Sequence, residues 1–399
     1  MKSKLAFATL LLGSATLVAC QILLGIDDTD VPAAASSSGA VGTSSSSSSG
    51  APTKCPADPS ATARPSAPAD SGLGLDVGPN DLLPVFAVHT IDLYRDDPAF
   101  GYDVDGYNTT AAAPPRCKTP SGERATDGEG GRDNAAGRIL FDRTGSFGVA
   151  TEQLTKSIQE DIDEGKGTTL LRLEGYNGEA NDDRVLIRVA SSPGLHRPDP
   201  DAGPTYPAWD GTDVWMITVN PKNGGDVWFA QSTVEGYVVN GSLVAQQVKP
   251  SAPFTFPLFG RSVAFKRGVL STKIEGASPG SLRFTSGLIA GEADPLDVYK
   301  LLRDIPLLNT RVCRLSTTGF GSVCASLVDN ADIPAEGYCN GELPADTACE
   351  NISLTFGFTA VQAAVVAAPE ADAGAADAGG TTAPPCAPFD IAAECTVAP

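Results

Sequence analysis

Apolar and polar residues alternate with a period of two along much of the chain, and this alternation predicts half-buried β-strands. It is clear around Leu171 and Leu173 and again over residues 185–189. Further strands are predicted over residues 85–93, 214–219, 227–230, 234–239, 243–248, 263–265, 269–274, 282–289 and 352–359. Short strands joined by turns such as Asn240-Gly241 are typical of an all-β sandwich or barrel.

Three segments instead show the spacing of amphipathic helices. They follow Asp133-Asn134, cover residues 150–163, and begin at Pro295. Asp and Asn are favoured N-cap residues, Pro is favoured at the first helical position, and Gly165 is placed to end the second helix. We therefore expect a mainly β fold, an antiparallel β-sandwich of jelly-roll or lectin-like pattern, with two or three peripheral helices.

Composition divides the chain into four parts. Residues 1–19 are predicted to be a signal peptide, residues 20–72 a disordered tether, residues 73–360 the β-sandwich domain, and residues 361–399 a low-complexity tail. The tether includes the serine run at 44–49, which buries too little apolar surface to offset the entropy of ordering it. Such a segment would act as a flexible spacer.

The first residues have the pattern of an export signal. Lys2 and Lys4 precede an apolar run over residues 5–18. A membrane-spanning helix needs about 20 apolar residues, and this run is shorter, which favours a secretory signal peptide over a transmembrane helix.

The residues Leu17-Val18-Ala19-Cys20 resemble the lipobox of bacterial lipoproteins. That resemblance implies that the signal is cut before Cys20 and that Cys20 is lipidated, with several acyl chains holding the protein on a membrane. Gln21 in place of Asp then implies the outer membrane of a Gram-negative bacterium, on its periplasmic or surface face. The alternatives are an ordinary signal peptide with an incidental cysteine, or an uncleaved anchor.

The formal net charge of −20 restricts the possible partners. A chain this acidic repels the phosphate backbone, so no nucleic-acid partner is expected. Anionic lipid surfaces repel it too, so the lipid at Cys20 would have to supply the membrane contact. Acidic surfaces do attract divalent cations.

The chain has nine cysteines, so eight remain once Cys20 is assigned to lipidation. An even number of cysteines in an exported protein predicts disulfides, and neither CxxC spacing nor clustered histidines support a zinc site. Connectivity does not follow from spacing, because eight cysteines allow about 105 pairings. The pairs that are closest in sequence, and are therefore taken as the first hypothesis, are Cys313–Cys324, Cys339–Cys349, Cys386–Cys395 and Cys55–Cys117.

Oxygen-bearing side chains recur in two loops between the first strand and the first helix. The candidate metal ligands are Asp103, Asp105 and Asn108 in the first loop and Asp127, Glu129 and Asp133 in the second. Calcium takes six to eight oxygen ligands in flexible geometry, and Ca²⁺ is therefore the candidate ion. The distal Glu and the helix pair of an EF-hand are missing, so that family is not supported. The alternative is that both loops are ordinary solvated turns.

Aromatic residues offer a second candidate site. Trp209 lies in a predicted loop beside Asp210, where it is placed to contact a ligand such as a sugar. Trp215 and Trp228 lie in predicted strands and are assigned to the core.

The sequence offers little for nucleophilic catalysis, since it has two histidines, His89 and His196, and neither a GxSxG nor an HExxH motif. His89 is interpreted as a structural residue at the end of a strand. The acidic run at 160–164 ends a predicted helix, which does not fit the strand-borne carboxylates of sandwich-fold glucan hydrolases.

These observations favour a membrane-anchored envelope or surface lipoprotein with a non-catalytic binding or structural domain. A calcium-stabilised loop is the candidate ligand site, and an extracellular or envelope glycan or protein is the candidate partner. The alternative is a secreted hydrolase acting on polysaccharide, which would need two carboxyl groups facing each other across a cleft.

Overall fold

The computed structural model describes residues 82–93, 100–105, 108–109, 117–120, 127–142, 151–198, 205–217, 228, 233–246, 253–258, 261–276, 280–303, 306–307, 310–311, 317–334, 347–368 and 395. All of these belong to the compact unit Ala51–Pro399. The predicted signal peptide, Cys20 and the predicted tether lie outside the described residues.

Strands dominate the described part of the chain. The strands are β1 (Val85–Asp92), β2 (Thr168–Glu174), β3 (Asp182–Ser192), β4 (Val214–Ile217), β5 (Thr233–Val239), β6 (Ser242–Gln246), β7 (Phe254–Leu258), β8 (Arg261–Phe265), β9 (Val269–Glu275), β10 (Arg283–Ala293), β11 (Pro306–Leu307), β12 (Thr310–Arg311), β13 (Ile333–Pro334) and β14 (Cys349–Ala367). The helices are α1 (Ala135–Asp142), α2 (Thr151–Asp163), α3 (Pro295–Arg303) and α4 (Thr317–Asp329). The predicted mainly β class is confirmed.

Eight strands form one closed antiparallel sheet, and the predicted sandwich is wrong in this respect. The strand order is β1-β2-β3-β5-β6-β9-β10-β14, and β14 then pairs with β1, which closes a barrel. Val85 lies opposite Ala363, and Thr90 lies opposite Thr359 with a side-chain hydrogen bond of 2.7 Å. Alternating strands bury one face in either architecture, so the pairing of the first strand with the last decides between them.

The inward faces of the strands form the main core. Phe86, Ile187, Phe284 and Phe356 are at most 1% exposed, and Phe86 stacks on Phe284 with ring centroids 3.8 Å apart. The hairpin β7–β8, which pairs Phe254 with Phe265, adds further aromatic rings to this core.

Hairpin β7–β8 packs against the beginning of β2 and the end of β10. Thr169 in β2 donates to the Pro257 carbonyl, and a side chain at Gly291 in β10 would meet Phe265. The strand β7 was not predicted, and it contains Pro257, a residue type that is rare in central strands. In this hairpin Pro257 lies opposite Ser262.

The predicted helix boundaries are largely confirmed. Asn134 caps α1, because its Oδ1 accepts a hydrogen bond from the Gly137 N–H at 3.2 Å. Asp294 caps α3 in the same manner through the Leu296 N–H. Gly165, with φ of 66°, ends α2. Helix α4 was not predicted, and two glycines early in its sequence, TTGFGSVCASLVD, explain why.

The longest strand, β14, contacts several parts of the fold. It pairs with β10 on one side and with β1 on the other, and its ends pair with β13 and, in parallel, with β4. It continues to Ala367, past the domain boundary predicted at residue 360.

A second, smaller core lies outside the barrel. There Trp215 and Trp228 are 0% and 2% exposed and pack with Leu170 and Ala190, so their assignment to the core is confirmed. None of the helices in the described ranges combines the length and the apolarity that crossing a membrane requires.

Candidate functional site

A layer of loops lies against the outer face of β14. We call it the loop layer and define it as residues 100–105, 108–109, 117–120 and 127–134. The outward positions of β14 here are Ser353, Thr355 and Gly357, all small, so the loop backbone approaches closely. Thr355 Oγ1 donates to the Asp133 carbonyl at 3.2 Å, and the hydroxyls of Tyr102 and Ser271 lie 2.7 Å apart.

Three carboxylates from two loops converge inside this layer. Asp103, Asp105 and Asp133 each place a carboxylate oxygen within 4.8 Å of the other two. Their side chains are 7%, 9% and 2% exposed. The sequence predicted that the second acidic loop would complete a group begun by the first, and the structure brings these three residues together.

The backbone fixes the position of Asp133. Its N–H donates to the Tyr102 carbonyl at 3.0 Å, which joins the two loops as a short antiparallel bridge. Its Oδ2 accepts hydrogen bonds from the Val104 N–H at 2.7 Å and the Asp105 N–H at 3.3 Å. The other carboxylate oxygen of Asp133 is not used by these two bonds.

Asp127 adjoins the group on one side. Its Oδ2 accepts a hydrogen bond from the Thr109 N–H, and its side chain is hydrogen-bonded to Asp133. When both groups are ionised, the charge of Asp127 repels that of Asp133.

Asp332 is a member of the cluster that the sequence analysis missed. Its carboxylate accepts two hydrogen bonds from Ser353, from the N–H at 2.8 Å and from the hydroxyl at 2.6 Å. Its charge acts on both Asp127 and Asp133. Asp332 follows α4, far along the chain from the two acidic loops, so no local spacing could have indicated it.

The pKa values of Asp127, Asp133 and Asp332 are raised, and burial is the largest cause for each. Burial raises the pKa of Asp127 to about 6, and the hydrogen bonds from Thr109 and with Asp133 oppose that rise. Burial, followed by the charges of Asp105, Asp127 and Asp332, raises the pKa of Asp133 well above its ordinary value. The pKa of Asp332 is raised by burial as well and is lowered in part by its bonds from Ser353. Such a cluster favours the uptake of protons or of a cation.

Two of the predicted metal ligands, Glu129 and Asn108, lie at the edge of the carboxylate cluster. Glu129 is exposed on a turn, where its carbonyl accepts a hydrogen bond from Arg132 at 3.1 Å. Asn108 is half-buried beside Gly131, whose φ is +79° and where an added side chain would lie 3.1 Å from the Asn108 Cβ. No side-chain contact joins Glu129 to the three central carboxylates among the described contacts.

The second predicted site, Trp209 with Asp210, is a tight turn held by Asp213. The Asp213 carboxylate accepts the N–H groups of Ala208 at 2.8 Å and Trp209 at 2.7 Å, and Trp209 has a φ of 54°. The Trp209 ring is half-buried, stacks on His89 at 4.4 Å and contacts Trp215 at 5.4 Å. Two protein rings therefore lie beside the Trp209 ring, one stacked on it and one tilted to it.

Asp210 is exposed and accepts hydrogen bonds from the N–H and the hydroxyl of Thr212. These bonds lower the pKa of Asp210. Burial lowers the pKa of His89, which favours its neutral form in the stack on Trp209. The arrangement fits the interpretation of His89 as a structural residue.

The described residues contain two disulfides, Cys117–Cys349 and Cys324–Cys395. These bonds exclude all four of the pairings that sequence proximity favoured, so that connectivity was wrong. The partners are separated by 232 and 71 residues, and tertiary contacts bring them together. The other four predicted disulfide cysteines, Cys55, Cys313, Cys339 and Cys386, lie outside the described residues.

Comparisons with known proteins assign no family to this fold and site. No protein-family model matches the chain, and neither curated proteins nor solved structures give a match.

Proposed function

We propose that this chain is an exported, lipid-anchored envelope protein whose β domain has a non-catalytic binding or structural role and holds a calcium ion in its loop layer. The convergence of Asp103, Asp105 and Asp133 within 4.8 Å, at low exposure, carries the calcium part of the proposal. The anchor part rests on the lipobox-like residues that end at Cys20.

A shared cation explains why like charges are buried together. Burying a carboxylate is unfavourable unless a proton, a cation or a set of hydrogen-bond donors compensates its charge. Asp133 receives two backbone donors, yet Asp105 and Asp127 still repel it. A divalent ion between the carboxylates would turn that repulsion into attraction.

The donor set favours calcium over magnesium or zinc. The candidate ligands are all oxygens, whereas zinc prefers nitrogen and sulfur. They also come from loops, and calcium accepts six to eight oxygen ligands at flexible geometry. Magnesium demands a near-octahedral shell and retains several waters, which a largely buried cluster disfavours.

The test is a thermal melt of the full-length oxidised chain in EDTA, in calcium and in magnesium. A ligand that binds only the folded state stabilises it by about 2.7 kcal/mol at one hundred times its dissociation constant. We expect calcium to raise the melting temperature and magnesium to have a smaller effect. Terbium is a second probe, because Tyr102 lies next to Asp103 and can sensitise its luminescence.

The variants D105N and D210N form a matched pair for this test. Both remove one carboxylate, but Asp105 belongs to the cluster and Asp210 lies exposed on the Trp209 turn. The calcium shift should disappear in D105N and persist in D210N. A shift of equal size in both variants, or no shift in the parent protein, would reject the calcium site.

The alternative, a hydrolase acting on polysaccharide, has one supporting observation, the raised pKa of Asp127 beside a second carboxyl group. Glycosidase carboxyls flank the scissile bond at about 5 to 9.5 Å, whereas Asp103, Asp105 and Asp133 lie within 4.8 Å of one another. That spacing suits a common ion better. Release of reducing sugar from envelope polysaccharide by the parent protein, lost in D127N, would favour the hydrolase.

For the binding role, the partner that we propose is an envelope glycan or protein, contacted through the turn of Trp209 and Asp210. Tyr206, which is 60% exposed, adds an aromatic surface close in sequence. Quenching or enhancement of tryptophan fluorescence by a soluble glycan, absent in Y206A, would support this surface. Unchanged fluorescence over the whole concentration range would count against glycan binding here.

The anchor is tested through Cys20. Metabolic labelling with a radioactive fatty acid should mark the full-length chain, and C20A should remove both the label and the association with membranes. Membrane association of C20A equal to that of the parent protein would reject the lipid anchor and favour an uncleaved signal.

A further inference from the structure

Among the described residues, the apolar contacts between the loop layer and the barrel form small, separate groups. Val104 packs with Ala290 and Ile333, with Tyr102 at the edge, and Cys117 packs with Ala331 and Cys349. Phe100 lies beside Gly357 of β14. Other described contacts with β14 are polar, such as the bond from the Thr355 N–H to Asn134 Oδ1 at 3.1 Å. A region with few buried apolar contacts opens more readily than a core strand.

The charges within the layer also favour its opening. Asp103, Asp105 and Asp133, all in the layer, place carboxylate oxygens within 4.8 Å of one another at low exposure. Separation of the layer from β14 would place these carboxylates in water, where the repulsion is weaker.

A covalent bond opposes this opening. Cys117 in the loop layer is bonded to Cys349 at the beginning of β14. The Lys118 N–H donates to the Thr347 carbonyl at 2.7 Å, and the Cys349 N–H donates to the Lys118 carbonyl at 2.9 Å. The two cysteines are only 5% and 3% exposed, and the Cys117 Sγ lies 3.3 Å from the Asp332 carbonyl.

The ladders that close the sheet lie beyond this bond along the chain. β14 pairs with β10 from Ile352 to Val361 and with β1 from Gly357 to Ala363, and these ladders lie on the carboxyl side of Cys349. The main core is formed by inward-facing side chains, whereas the layer lies on the outer face. Layer and barrel are therefore joined by polar contacts, by small apolar groups and by one described disulfide.

We propose that the Cys117–Cys349 disulfide is a covalent lock: when it is open, the loop layer leaves the outer face of β14 while the eight-stranded barrel stays folded. This lock goes beyond the proposed function and does not require a bound ion. Opening by a dithiol breaks the sulfur–sulfur bond, leaves one thiol on each cysteine, and converts the dithiol into its own disulfide. Because the bond is buried, the reductant reaches it only after a transient opening of the layer.

The test compares C117A/C349A with C324A/C395A by amide hydrogen exchange of the full-length chain in EDTA. Each variant lacks one disulfide, but Cys324–Cys395 joins α4 to the tail, and neither of its cysteines belongs to the loop layer. We expect peptides over 100–105 and 127–134 to exchange at least about tenfold faster in C117A/C349A, which is a local opening in the sense used for native-state exchange. Peptides over β2 and β3 should keep the protection that they have in the parent protein.

Two outcomes would overturn the lock. Unchanged exchange of the loop layer in C117A/C349A means that the polar contacts suffice. Equal acceleration in the layer and in β2 and β3 means that the disulfide stabilises the whole fold.

If C117A/C349A does not fold, the parent protein is treated with a dithiol in EDTA, its thiols are trapped by alkylation, and the same peptides are compared. The test omits calcium throughout, so it can fail or succeed independently of the metal site.

Discussion

Ser353 and Asp332 are joined by two hydrogen bonds, of 2.8 Å from the Ser353 N–H and 2.6 Å from its hydroxyl. The same hydroxyl oxygen accepts the Ala135 N–H at 2.7 Å. One small side chain on β14 thus connects the beginning of α1 with Asp332, which lies three residues beyond the end of α4. Because β1 ends at Asp92, this edge of β14 would otherwise carry unpaired N–H groups.

We expect S353A to lower the free energy of unfolding by about 1–3 kcal/mol, because it leaves a buried N–H and a buried carboxylate oxygen without a partner. The measurement is urea unfolding in EDTA. S191A is the matched control, since Ser191 is exposed on β3 and should change stability by less than about 0.5 kcal/mol. Equal losses in the two variants would contradict the role of Ser353.

Asn134 has two functions, because its Oδ1 accepts the N–H groups of both Gly137 and Thr355. We expect N134A to destabilise the protein by about 2 kcal/mol through the lost cap and the unsatisfied strand N–H. N134D keeps a good N-cap but adds a charge next to Asp133 and should therefore be destabilising at neutral pH and much less so in acid. Melting curves at both pH values measure this, and a pH-independent loss in N134D would refute the electrostatic explanation.

The raised pKa of Asp127 predicts an unusual pH dependence for the metal-free protein. Its pKa is about 6 in the folded state against an ordinary value of 3.8. Between these values the folded state binds more protons than the unfolded state, so stability falls as the pH rises from 4 to 6 and stays lower above that range. The loss from this residue is at most about 3 kcal/mol.

D127N keeps an oxygen for the Thr109 N–H and removes this titration. Relative to the parent protein in EDTA, it should gain stability at pH 7 that it does not gain at pH 4, as melting temperatures would show. D210N is the control, and its effect on stability should have the opposite sign, because hydrogen bonds from Thr212 lower the pKa of Asp210. A constant difference between D127N and the parent protein over this pH range would show that Asp127 does not titrate as expected.

Gly211 and Gly280 meet where the Trp209 turn packs against the β9–β10 connection. Both have positive φ, of 99° and 92°, but a Cβ on Gly211 would lie 2.1 Å from the Gly280 carbonyl oxygen, whereas a Cβ on Gly280 meets nothing within 4 Å. G280A should lower the free energy of unfolding only by the backbone strain, about 1–2 kcal/mol. G211A adds a clash with backbone and should cost several kcal/mol more in urea unfolding; equal costs would show that the turn moves freely.

Much of the local structure followed from the sequence. Alternation located β3 and β5, in which buried and more exposed residues largely alternate. It also located β2, although the second core buries Leu170 on the outer face of that strand. Asn134 and Asp294 marked helix beginnings because their side chains accept hydrogen bonds from terminal N–H groups. Gly165 marked a helix end because it has no side chain and therefore adopts positive φ readily. The loops carrying Asp103, Asp105 and Asp133 were also recognised as one group from their composition.

Only the tertiary structure decided the features that depend on distant pairs. Closure of the barrel requires β1 to meet β14, and the same alternation is compatible with an open sandwich. The bonds of Cys117 with Cys349 and of Asp332 with Ser353 likewise join segments whose separation along the chain says nothing about their distance. Periodicity reports which face of an element is buried, whereas packing of the complete chain decides which elements become neighbours.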